Sequence, residues 1–172
     1  NHGARQLLEF NIPTRGIIGL RSKLMTATNG QAIISHRFSV YAPYKGVIPT
    51  RLNGVLVSMD AGRIIPYAID GLQQRGFFFI DPGEMAYGGM IVGEHCKDGD
   101  LVVNLQREKK LTNMRASGSD RAMKISPAAK MTLEESLEYI VDDELVEVTP
   151  KSIRMRKRYL SELERRRNKK IE

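Results

Sequence analysis

The sequence contains no tryptophan, a single cysteine (Cys96), three histidines and only 6% aromatic residues. With one thiol an internal disulfide is excluded, and the chain suits a reducing, cytoplasmic setting. Aromatic packing falls to Phe38, the Phe77-Phe78-Phe79 run and the tyrosines. His2, His36 and His95, with Cys96 beside the last, lack the spacing of zinc ligands, so no metal site is expected. Neighbours on a strand point to opposite faces, so His95 and Cys96 do not pair as base and nucleophile and read as structural residues. No stretch offers spaced glycines followed by Lys and Ser or Thr, so a phosphate-binding loop is missing and no nucleotide hydrolysis is expected of this chain. The longest apolar runs, residues 16–20 and 64–69, are far short of the ~20 residues a membrane helix requires. The amino terminus begins Asn1-His2-Gly3-Ala4-Arg5, without Met and without a basic-then-apolar signal pattern, and reads as a processed or cut chain.

What is present is ordinary for a folded soluble protein: 172 residues, 41% apolar and 27% charged. That length accommodates one generous domain, or one domain plus part of another. The formal charge is +7, and its placement says more than its size. Residues 151–172 hold ten bases (Lys151, Arg154, Arg156, Lys157, Arg158, Arg165, Arg166, Arg167, Lys169, Lys170) against Glu162, Glu164 and Glu172. Just before them, Glu134, Glu135, Glu138, Asp142, Asp143, Glu144 and Glu147 form an acidic block without a base. Clustered cations release counterions from a polyanion, whereas scattered ones merely solvate. Two readings stand: a polyanion-facing surface, or a solvated charged helix.

Along the chain, residues 5–10 read as a strand, Pro13-Thr14 as the start of a helix over 15–28, and Asn29-Gly30 as its left-handed stop. Ile17, Leu20 and Leu24 give that helix an apolar face, and residues 31–42 alternate as a strand. Strand, helix, strand is half of a split βαβ unit, whose other half is expected upstream. From residue 46 the pattern changes to short apolar strands (54–59, 63–68, 77–80, 90–95, 101–105) separated by Asp60-Ala61-Gly62, Asp81-Pro82-Gly83 and Lys97-Asp98-Gly99-Asp100. The expected fold class is α+β: half of a ferredoxin-like domain over 1–45, then over 46–172 a small antiparallel β-barrel-like domain with a helix and a basic C-terminal helix. Thr132 and Glu135 form a capping-box signature for a helix over 132–141. Residues 144–148 and 152–157 read as a hairpin with Ile153 and Met155 inward and Arg154, Arg156 and Arg158 outward. Ser161 with Glu164 repeats the capping signature and opens a last helix.

The segment from Arg107 to Arg121 lacks apolar periodicity and reads as a long exposed loop, a class usually functional or disordered. Lys109, Lys110, Thr112, Asn113, Arg115, Ser117 and Ser119 are groups that contact phosphate and ribose oxygens, and Gly118 lets the backbone approach closely. Asn113 and Arg115 suit reading or stacking on exposed bases. The alternative is an ordinary hydrophilic connection. With no histidine near Ser117 or Ser119 in sequence, covalent catalysis is not expected there. The Arg154, Arg156, Lys157 and Arg158 face is a second candidate RNA contact. Arg15 and Arg21 are weaker candidates, because basic residues are common on exposed helices.

Residues 109–120, Lys-Lys-Leu-Thr-Asn-Met-Arg-Ala-Ser-Gly-Ser-Asp, resemble the signature loop of the BipA/TypA family of ribosome-associated translational GTPases, and residues 142–158 resemble that family's final hairpin. Residues 13–21, Pro-Thr-Arg-Gly-Ile-Ile-Gly-Leu-Arg, are similar to the helix start of the family's fifth domain, itself similar to that of elongation factor G. The resemblance covers nearly the whole chain. It implies a protein whose GTPase domain, with its GTP and Mg, and whose β-barrels lie outside this chain, so the chain itself has no cofactor and no enzymatic role. It further implies binding to the ribosome, to the transfer-RNA acceptor arm and to large-subunit ribosomal RNA, with roles in ribosome assembly and stress adaptation, as a monomer away from membranes. The competing class is a protein-interaction module whose acidic helix and basic tail recruit ribosomal proteins or self-associate.

Overall fold

The computed structural model describes residues 6–46, 51–108 and 124–168. The chain divides into two compact units, Asn1–Pro49 and Thr50–Glu172.

In the first unit a 3-10 turn, Thr14–Ile17, precedes helix α1, Leu20–Ala27. The expected single helix over 15–28 is interrupted at Gly19, which adopts φ 71°, a left-handed conformation that no continuous right-handed helix accepts. The predicted stop forms as expected: Asn29 and Gly30 take φ 50° and 81°, and the Gly30 N–H returns to the Met25 carbonyl at 2.7 Å. Residues 6–13 and 31–46 carry no strand. A strand exists only by pairing with a neighbour, and these segments instead leave Leu7, Phe10, Ile33, Phe38 and Val40 exposed.

The second unit is a mixed sheet flanked by helices. Its elements run β1 Val55–Ser58, β2 Gly62–Arg63, α2 Pro66–Leu72, a 3-10 turn Gln73–Arg75, β3 Gly76–Phe78, β4 Met85–Ala86, β5 Met90–His95, β6 Leu101–Val103, α3 Leu133–Tyr139, β7 Glu144–Val148, β8 Ile153–Lys157 and α4 Glu162–Asn168. Strand β5 is central. One of its edges holds β1, and the other is shared by β8, opposite Met90 and Ile91, and β3, opposite Gly93 to His95. The sheet is open, ending on β6 and β7, so no closed barrel forms among the described residues. Nor is it wholly antiparallel, because β6 runs parallel to β1. The strand expected over 63–68 is replaced by the short β2, which pairs with β4, and by α2. Pro66 occupies the first turn of α2, where its fixed φ favours a helix and its missing N–H costs nothing.

Both faces of the sheet are buried. Leu56, Val92, Phe78 and Met90 pack with Ile69 of α2, Ile64, Val103 and Leu105 on one side. Val55, Val57, Ile91, Phe79 and Met155 pack on the other against Tyr139 of α3, Met131 and Ile140. Each fully buried Leu, Ile or Val side chain contributes about 1.5–3 kcal/mol. Among the described residues no helix is long and apolar enough to cross a membrane.

Candidate nucleic-acid interface

The β7–β8 hairpin divides the basic residues of its second strand by parity. Register pairs Glu147 with Arg154, Leu145 with Arg156, Val146 with Met155 and Glu144 with Lys157. Since side chains alternate along a strand, Arg154 and Arg156 share one face, and Lys157 shares the opposite face with Met155. Lys157 is therefore interior, 2% exposed. Its ammonium lies 2.6 Å from Asp100, 2.8 Å from Glu144 and 2.9 Å from Asp143. Lys157 thus drops out of the solvent-facing basic surface expected of residues 154–158.

This buried cluster has a second cation. Arg51 sends a fork to Glu144, Nη1 to Oε2 at 3.0 Å and Nη2 to Oε1 at 2.8 Å, while its Nε donates to the Asn53 carbonyl and its guanidinium lies 4.7 Å from the Tyr139 ring centroid. Glu144 Oε2 also accepts from the Val141 N–H, and Asp100 Oδ1 from the Val55 N–H. Burial pushes the Asp100 carboxyl up, but the Lys157 ammonium and the Val55 N–H outweigh it and hold the group below its usual range. Burial likewise works against charge on Lys157 and Arg51, and their carboxylate partners raise both above their ordinary values.

On the other face Glu147 is shared. Its Oε2 accepts from the Tyr87 hydroxyl at 2.5 Å and its Oε1 lies 2.7 Å from Arg156 Nε. Burial and the Glu147 contact push the Tyr87 hydroxyl well above its ordinary value. Arg156 Nη1 donates to the carbonyls of Lys157 and Arg158 at 3.2 and 3.3 Å. Arg158 is exposed, with one nitrogen on the Asp142 carbonyl at 2.8 Å. Arg154 is half-buried, and Lys151, Arg166 and Arg167 are exposed. Four acids of the block have intramolecular partners: Glu135 in the α3 cap, Asp143 and Glu144 on Lys157, and Glu147 on Tyr87 and Arg156.

In the first unit Arg15 is also committed, bonding the Gly46 carbonyl and lying 4.1 Å from the Tyr44 ring centroid. Arg21 is exposed beside a shallow hollow lined by Met25, Ala32, Ile33 and Ile34. The loop residues Lys109, Lys110, Thr112, Asn113, Arg115, Ser117, Gly118 and Ser119 lie outside the described residues. The chain flanking them is anchored: Ile65 N–H bonds the Leu105 carbonyl at 3.0 Å, and the Gln73 amide holds both the Lys124 carbonyl, at 3.0 Å, and the Ser126 N–H, at 2.8 Å. Sequence reasoning missed Arg51, Asp100 and Gln73. Among the described residues no group of three or more His, Cys, Asp or Glu is arranged to hold a metal ion.

The family model described as the TypA/BipA C-terminal domain matches residues 53–162, and that of the elongation factor G C-terminus matches residues 1–52. The chain belongs to the TypA/BipA family. It is 50% identical over 164 residues to the large ribosomal subunit assembly factor BipA of Escherichia coli K12, covering 95% of this chain and 27% of that protein. The Bacillus subtilis protein of the same name is 46% identical over 167 residues, 96% of this chain and 27% of its own length. The chain thus spans about a quarter, 27%, of the length of these TypA/BipA relatives.

Proposed function

We propose that this chain is the ribosome-docking, RNA-binding carboxyl-terminal region of a BipA/TypA translational GTPase that acts in large-subunit assembly and stress adaptation. On this reading residues 1–45 are the elongation-factor-G-like part and residues 46–172 the family-specific part. GTP and Mg belong to a G domain outside the chain. The observation that carries the reading is the separation of cations by the fold. Lys157 and Arg51 are neutralised internally, whereas Lys151, Arg158 and Arg167 stand in solvent, Arg166 does so while paired with Glu162 at 2.5 Å, and Arg154 stands partly so. Such a surface suits phosphate oxygens, the principal source of protein–nucleic acid affinity. The names of the relatives point the same way, since a large subunit presents structured ribosomal RNA. The contacts assigned are Lys109, Lys110, Thr112, Asn113, Arg115, Ser117, Gly118 and Ser119, then Arg154 and Arg158, with Arg21 as a minor one. Their partners are large-subunit ribosomal RNA and the transfer-RNA acceptor arm, met by a monomer in the cytoplasm.

Charge reversal tests this against a protein-interaction role. Arg115→Glu is expected to weaken binding to purified large subunits, while reversal of Glu134 and Glu138 leaves it unchanged. Intact binding by Arg115→Glu, together with a protein complex abolished on reversing Glu134 and Glu138, would overturn the proposal.

A further inference from the structure

The connection from β8 to α4 is held by arginines of its own. The carbonyls of residues 157, 158, 159 and 160 are all taken by guanidinium groups: Arg156 Nη1 donates to the Lys157 and Arg158 carbonyls, and Arg165 Nη1 donates to those of Tyr159, at 3.0 Å, and Leu160, at 2.6 Å. Arg156 Nε in turn lies 2.7 Å from Glu147 Oε1, an ion pair without hydrogen-bond alignment, and Glu147 is also held by the Tyr87 hydroxyl. A separate feature seats the same elbow. Gly89, at φ 85°, lies so close beneath Leu160 that an added Cβ would sit 2.7 Å from the Leu160 Cα, and the Gly89 carbonyl accepts from the Lys157 N–H at 2.9 Å. Beyond the elbow, α4 presents Arg167 and, paired at 2.5 Å with Glu162 of the same helix, Arg166 to solvent, with Arg165 half-buried against the connection.

We propose that Arg156 and Arg165 are positioning residues: they staple the elbow at residues 157–160 and so aim α4, with Arg166 and Arg167, at the phosphates of the bound RNA. The inference rests on the RNA-binding reading above and separates two roles within one basic tail. A short helix with few apolar residues gains little from packing. What orients it is the set of charge-assisted hydrogen bonds at its root, those of Arg165 at 3.0 and 2.6 Å supported by the longer ones of Arg156 at 3.2 and 3.3 Å. A lysine at position 165 keeps the charge but lacks the planar, multi-donor head that the staple uses.

The test compares the full 172-residue chain with Arg165→Lys and with an Arg166→Ala, Arg167→Ala double variant, measuring backbone order parameters of residues 161–168 and affinity for purified large ribosomal subunits over a salt series. In the wild type the order parameter of α4 is expected near ~0.85, and Arg165→Lys lowers it below ~0.6. The same variant weakens binding several-fold with an unchanged salt slope, because the charge is kept. The double variant keeps α4 ordered and reduces the slope by about two, one for each phosphate left unneutralised. Unchanged order in Arg165→Lys overturns the staple, and reduced order with undiminished binding overturns the positioning role. If the double variant also binds with the parental slope, the assignment of α4 to RNA fails, whatever the order parameters show.

Discussion

Lys157 shows how one side chain separates structure from binding. Strand alternation places it on the side of Met155, against the expected basic face of residues 154–158, because residues two apart on a strand share a face. What was not legible was the set of acids that makes an inward lysine tolerable. Asp143 and Glu144 are close in sequence to the hairpin, but Asp100 and Arg51 come from distant turns that only the folded sheet brings together. Removing one partner of a buried ion cluster leaves the others uncompensated, so Lys157→Met is expected to destabilise the fold by about 3–5 kcal/mol, measured as a lower urea midpoint at unchanged slope. A midpoint within error of the parent would show that the cluster is dispensable. The pH dependence follows from the shifts. Asp100 titrates below its ordinary value in the folded state, so its contribution is present above about pH 4 and lost as pH falls through the depressed value. Lys157 titrates above its ordinary value, so its contribution is complete below about pH 10.4 and lost as pH rises through the raised value. Urea midpoints measured against pH should therefore form a plateau between those limits, and Lys157→Met should remove the alkaline fall that this lysine supplies.

Among the elements, those with their own start and stop chemistry were the most legible. Thr132 and Glu135 announced α3, and both capping bonds form: the Glu135 N–H to Thr132 Oγ1 at 3.3 Å, and the Thr132 N–H to Glu135 Oε2 at 2.8 Å. Thr132→Ala should cost about 0.5–2 kcal/mol in unfolding free energy, read by urea titration. Since α3 carries Tyr139 onto the Val55, Phe79 and Ile91 side of the core, the effect should register globally rather than as fraying alone. The hairpin's strands and register also form, although Ile153, expected inward, is 37% exposed at its open end. Pro66 was the misread signal: an apolar run around a proline passed for a strand, although proline suits the first turn of a helix. In the first unit the alternating residues 31–42 have the composition of a strand and no partner to pair with among the described residues, and composition cannot supply one. At Gly89 both conformation and space demand glycine, so Gly89→Ala should lower the urea midpoint by displacing Leu160. A midpoint equal to the parent's would show that the elbow gives way at no cost.

At the scale of the whole molecule, net charge was readable at once and its meaning was not. The +7 sits formally in the last 22 residues, 151–172, yet the fold withdraws Lys157 into the sheet and gives Arg156 and Arg165 to backbone carbonyls. The surface left for a partner is smaller and more directed than a count of bases suggests. The sheet's open order, the parallel β6 and the buried cluster all depend on pairings between residues far apart in sequence, which local patterning does not encode. The family resemblance, by contrast, was carried by contiguous runs and needed no folding argument.

The most direct test of the central claim is the binding of this chain to purified large ribosomal subunits between about 50 and 200 mM salt, beside a Lys109→Ala, Lys110→Ala, Arg115→Ala variant. The account predicts that log affinity falls linearly with log salt for the parent, and that the variant binds more weakly with a slope reduced by up to about three, about one for each phosphate no longer neutralised. Binding that is indifferent to salt, or a parent that shows no affinity for the subunit, would contradict it.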